Sequence, residues 1–152
     1  MNRLRRAVGL PLLAGALALV ACGSDEEAND YVDQVNGSQV ELVDEVTETI
    51  SGAPPADPKT AAEVATELEG VFVATADELE AITPPEDVSR LHGELVAVIR
   101  GVGARIGEAE KAFSSGSPQR AADAARELQA TTTDLQSELN ALINEINAQL
   151  PE

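Results

Sequence analysis

The sequence predicts an all-α protein, an antiparallel up-down four-helix bundle that follows a cleaved signal peptide. Three observations carry that expectation. Apolar residues recur at a three-four spacing through four separate segments, the mark of helices packed along a shared, coiled-coil-like seam. The segments are divided by proline- and glycine-rich breaks, Gly52-Ala53-Pro54-Pro55-Ala56-Asp57-Pro58, Thr83-Pro84-Pro85 and Ser114-Ser115-Gly116-Ser117-Pro118. No stretch sustains the alternation of a strand.

The first element is a secretion signal over residues 1–21. Arg3, Arg5 and Arg6 make a basic start, and an apolar run from Leu10 to Val20 is broken only by Pro11. That run is short of the ~20 apolar residues a bilayer span needs. It closes on Leu19-Val20-Ala21-Cys22, which resembles the lipobox of bacterial lipoproteins. Cleavage before Cys22 would leave the chain's single cysteine as the first mature residue, with diacylglycerol on its sulfur and room for a further acyl chain such as palmitate on its amine. One acyl chain holds a membrane marginally and two or more hold it stably. Cys22 and the acidic residues after it, 22–29, read as a short tether; with that thiol consumed, no disulfide or thiolate metal site remains.

Residues 30–150 supply the bundle. Segment one is the weakest, with Val35, Gln39, Leu42 and Val46 in register and Tyr31, Val32, Val43 and Ile50 beside them; Asn36-Gly37-Ser38 with Glu41 offers a restart or kink, but the apolar phase carries across Gly37, which favours one continuous helix. Segment two runs Ala61, Ala65, Leu68, Phe72, Thr75, Leu79, Ile82. Segment three gives Val88, His92, Leu95, Ile99, Val102, Ile106, Ala109, Phe113, with Leu91 and Val98 flanking. Segment four gives Ala121, Ala125, Leu128, Thr132, Leu135, Leu139, Leu142, Ile146. Asp57-Pro58 and Ser117-Pro118 place a cap residue before a first-turn proline, and Thr83-Pro84-Pro85-Glu86 reads as a capping box. Segments of roughly 25–30 residues make helices of about 40 Å, and short connections make neighbours antiparallel.

Composition narrows function. The chain has 27 acidic and 10 basic residues, a net charge of −17. Loss of residues 1–21 removes three arginines and no acid, so the mature domain is more negative still. Such a charge argues against nucleic acid as a partner. Tyr31, Phe72 and Phe113 are the only aromatic residues, too few for a platform that stacks bases or sugars.

The acids concentrate in the first half. Residues 26–51 carry eight and no basic residue, and within them Glu41, Asp44, Glu45 and Glu48 stand at helical spacing. Like charges there cost a few tenths of a kcal/mol per pair, and acids late in a helix oppose its dipole. A divalent cation or a basic protein partner would relieve both, which makes these four the candidate binding face. No calcium-loop pattern, Glu-x-x-His pair, phosphate loop or Gly-x-Ser-x-Gly elbow is present, so neither a dedicated metal site, a cofactor nor an enzyme is expected. His92, the lone histidine, falls in the apolar series and reads as a hydrogen-bonded core-edge residue. Gly101, Gly103 and Gly107 read as close-packing positions or a soft spot in the third helix; with the Ala- and Thr-rich seams they suggest an alternative role, a carrier of a small apolar ligand.

The lipobox, the acidic tether, Asp30-Tyr31-Val32 with Val35-Asn36, Thr83-Pro84-Pro85-x-x-Val88 followed by Leu91-His92-x-Glu94-Leu95, and the Leu142-Ile143-x-x-Ile146-Asn147 ending together resemble small helical lipoproteins of high-GC bacteria. The resemblance spans essentially the whole chain and implies a lipid-anchored bundle on the outer face of the cell membrane. Its motifs are structural, so no site residue transfers from it. The expected role is a non-enzymatic binding or interaction module.

Overall fold

The computed structural model describes residues 26–52 and 57–150. The signal peptide, Cys22 and the first part of the tether lie outside the described residues, as do residues 53–56. The described chain is an all-α bundle of four long helices, α1 (Glu26–Gly52), α2 (Pro58–Ala81), α3 (Ser89–Ser114) and α4 (Pro118–Gln149), with a short 3-10 turn, η1 (Glu86–Val88), before α3.

Helices α2 and α3 form the closest pair. Their antiparallel sense is fixed by a ladder of contacts: Glu69 lies over Gly107, Phe72 and Val73 meet Gly103, Asp77 and Glu80 reach Arg100, and the Leu79 carbonyl reaches His92. The pair packs tightly because the α3 side offers glycine where α2 approaches. Helix α4 packs along α3 and also touches η1, while α1 lies against α2. One apolar core runs through all four helices, with Tyr31, Leu91, Ile146 and Val88 its largest fully enclosed side chains. Each such burial is worth about 1.5–3 kcal/mol.

Helix α1 begins earlier than the sequence reading placed it. Residues 26–29, expected in the tether, form its first turn, where Glu26 and Glu27 complement the helix dipole and Ala28 is buried in phase with Val32 and Val35. It runs unbroken through Gly37, as the continuous apolar phase predicts. Its burial is uneven. Ala28, Tyr31, Val32 and Val35 are buried, whereas Leu42 and Val46 are only partly covered.

Two of the three expected caps form. The Asp57 carboxylate accepts hydrogen bonds from the Lys59 and Thr60 amides at 2.9 and 3.1 Å, which holds its pKa below the usual carboxylate value, and Ser117 accepts from the Arg120 amide at 3.4 Å. The capping box at Thr83 does not form. Pro84 precedes Pro85 and is thereby disfavoured from helical geometry, and Pro85 itself is extended at ψ 149°, so the chain first turns in η1, beyond the reach of the Thr83 side chain.

The seam of α3 is as expected, with Val88, Leu91, His92, Leu95, Ile99, Val102, Ile106 and Ala109 all buried and Phe113 partly so. In α4 the expected positions Leu135, Leu139, Leu142 and Ile146 are buried, but in its first half the buried residues are Ala124 and Thr131 rather than Ala125 and Thr132. The buried series steps back from Leu135 by four residues to Thr131 and seven more to Ala124, whereas the expected series steps back by three and then seven; the two choices lie one residue, about 100°, apart on the helix. Leu128, the one large aliphatic side chain of that half, is partly buried and packs against the core.

Candidate functional site

The four carboxylates singled out by spacing all sit on the far half of α1. Glu41, Asp44, Glu45 and Glu48 are exposed, and with Asn36, Gly37 and Val40 they line one open surface depression. Val40 is 61% exposed, the most exposed large apolar side chain among the described residues. The face thus combines negative charge with an apolar spot. Helix α1 carries no Lys, Arg or His, and every ion pair among the described residues is made on α2, α3 or α4: Lys59 with Glu63, Arg90 with Glu94, Arg100 with Asp77 and Glu80, and Arg126 with Asp123. Nothing within the described chain neutralises the face. Among the described residues no group of three or more His, Cys, Asp or Glu side chains converges as a metal site.

A second constellation lies inside the bundle. His92, on the first turns of α3, is 5% exposed, and both of its ring nitrogens are engaged. Nε2 lies 2.9 Å from the Leu79 carbonyl in the last turn of α2, and Nδ1 lies 3.3 Å from the Tyr31 hydroxyl on α1. A carbonyl oxygen can only accept, so Nε2 carries the hydrogen. In the neutral ring Nδ1 is then the acceptor and Tyr31 donates to it. The two rings meet edge to face, centroids 5.6 Å apart at 70°, a favourable aromatic geometry. The Leu79 carbonyl also accepts from the Ile82 amide at 3.0 Å, so one oxygen serves both the end of α2 and the histidine.

Burial sets the charge state here. It pushes His92 below its ordinary pKa, only partly opposed by the bond to Leu79, and pushes the Tyr31 hydroxyl up to about 12. No buried side-chain nitrogen or oxygen among the described residues lacks a partner. The expectation of a hydrogen-bonded histidine at the core edge thus describes His92 in the structure. The partner Tyr31, 61 residues away, had no local signal.

The glycines of α3 divide by position. A Cβ on Gly103 would make ordinary contact with Phe72 and Val73, at 3.4 Å each, and one on Gly107 would fall 2.5 Å from a Glu69 carboxylate oxygen. Both are close-packing sites that abut α2. Gly101 is exposed with nothing near it and is the soft position. Between the start of α2 and the end of α3 lies another open depression, lined in part by Ala62, Thr66 and the partly buried Phe113. No described helix is long and apolar enough to cross a membrane.

Comparison with known proteins finds no matching family, no matching curated protein and no matching solved structure.

Proposed function

We propose that this chain is a lipoprotein anchored through lipid on Cys22 to the outer face of the cell membrane, and that it acts there as a non-enzymatic interaction module. The face it presents is the far half of α1, and its partner is a basic protein surface. The observation that carries this reading is the unneutralised stripe Glu41, Asp44, Glu45 and Glu48 around exposed Val40, on a helix without a single cation. A basic partner suits it better than a bound divalent cation, because the four carboxylates lie along one helix face and do not converge.

Two measurements test the two halves separately. Intact mass of the full chain extracted from bacterial membranes should give a chain that starts at Cys22 and carries diacylglycerol. An unprocessed chain with a free thiol rejects the anchor. Changing Glu41, Asp44, Glu45 and Glu48 together to Gln should weaken capture of basic proteins by membrane-bound chain about tenfold or more, and added salt should mimic the loss through screening. Equal capture by both forms rejects the face.

A further inference from the structure

We propose that the chain of hydrogen bonds from Tyr31 through His92 to the Leu79 carbonyl is a latch that holds α1 on the bundle at neutral pH and opens when His92 is protonated in mildly acidic surroundings. The inference is independent of the partner reading above.

Helix α1 is the one whose attachment rests on a small patch. Its buried side chains, Ala28, Tyr31, Val32 and Val35, lie in its first ten residues, and between Asn36 and Gly52 none is fully buried. Electrostatics oppose its docking, since α1 carries eight exposed carboxylates and no cation, and α2, against which it lies, carries six acids and Lys59 as its only cation. Within the buried patch Tyr31 is the largest side chain, and its hydroxyl ties α1 to α3.

The chain is satisfied in one protonation state. With a neutral ring, Tyr31 donates to Nδ1, Nε2 donates to Leu79, and each polar atom is used. A proton on Nδ1 consumes the lone pair that Tyr31 uses. The hydroxyl must then turn to accept, which leaves its own hydrogen without that partner, and the new charge sits in an apolar enclosure. The groups that meet the ring are few. From α1 comes Tyr31, from α2 the Leu79 carbonyl. On α3 the residues near His92 in sequence, Leu91, Leu95 and Val96, are buried and apolar, while Arg90 and Glu94 are exposed and pair with each other. Glu86 and Asp87 of η1 are exposed, and the last turns of α4 bury Leu142, Ile143, Ile146 and, just past the helix, Leu150. No carboxylate bonds the ring to compensate the charge.

The working window follows. Histidine is the side chain whose charge ordinarily changes between about pH 5 and 8, and His92 is the only histidine of the chain. Its folded-state pKa lies below the unfolded value of 6.5, so the unfolded or opened state binds the proton more tightly. The stabilisation is therefore present above the unfolded value and is lost as pH falls toward the folded one.

The test is hydrogen exchange of the full chain in detergent micelles at about pH 7.5 and about pH 5.5, corrected for intrinsic exchange rates. Protection of amides in the first half of α1 should fall by roughly tenfold or more on acidification, while protection in α2 and α3 changes by less than about twofold. The pH midpoint of that loss should coincide with the titration of the single histidine followed by NMR, and His92→Gln should remove the pH response. Protection of α1 that does not change, loss spread equally over all helices, a midpoint apart from that of His92, or an unaltered response in His92→Gln each overturns the latch. The first three outcomes are read on the unsubstituted chain and do not depend on the variant folding.

Discussion

The hydroxyl of Tyr31 donates to Nδ1 of His92 across 3.3 Å, joining α1 to α3 through the only tyrosine and the only histidine of the chain. Because His92 in turn donates to the Leu79 carbonyl, three helices meet on one imidazole.

Removing the hydroxyl while keeping the ring isolates that bond. Tyr31→Phe should lower unfolding free energy by about 1–3 kcal/mol, since a buried acceptor on His92 loses its donor. The same residue gives an alkaline readout. With no Trp present, absorbance near 295 nm reports Tyr31 alone, and its ionisation should occur near pH 12 in the folded chain. The folded value lies above the ordinary 10, so this contribution to stability is complete below about pH 10 and is lost as pH rises toward 12. A titration midpoint near 10 in the folded protein would contradict the burial of the phenol.

The glycines of α3 should respond with different magnitudes. Gly101→Ala adds a side chain into open space within a helix and should stabilise by about 0.5–1 kcal/mol in chemical denaturation. Gly107→Ala has the same propensity gain, but its Cβ displaces the Glu69 carboxylate, so its gain should be smaller or reversed. Adding Glu69→Ala to Gly107→Ala should restore the missing part, a coupling measurable by a double-mutant cycle. Equal effects at both glycines would refute the close approach of α2.

Cap substitutions separate the helix starts that form from the one that does not. Ser117→Ala should cost about 0.5–2 kcal/mol in thermal or denaturant unfolding. Asp57→Ala should destabilise the start of α2, and the wild-type cap should weaken as pH falls through the lowered pKa of Asp57, because its protonated form is the poorer acceptor. Thr83→Ala should be neutral within about 0.5 kcal/mol, as expected of an exposed residue without a capping role.

These contrasts mark how far local chemistry reads through. Asp57 and Ser117 are legible because a cap needs only a side chain and the amides two or three residues on. Thr83 fits the same pattern and fails, because two consecutive prolines impose a backbone that the capping-box signature does not encode. The α3 seam is legible because Leu, Ile and Val crowd one face; the first half of α4 offers Ala and Thr on several faces, and only the packed helix chooses Ala124 and Thr131. Ala28 belonged to the same i, i+4, i+7 series as Val32 and Val35, but the acidic residues around it masked the signal.

The sequence by itself determined that this chain is helical, where each break falls, and that the far half of α1 is an exposed acidic stripe, since each follows from residues within a few turns of one another. Only the tertiary structure decided that Tyr31 donates to His92, that Glu69 rests on Gly107, and that α1 is held chiefly by its first ten residues. Those depend on which faces meet across distances of tens of residues, and periodicity fixes that each helix has an inner face without fixing what that face touches.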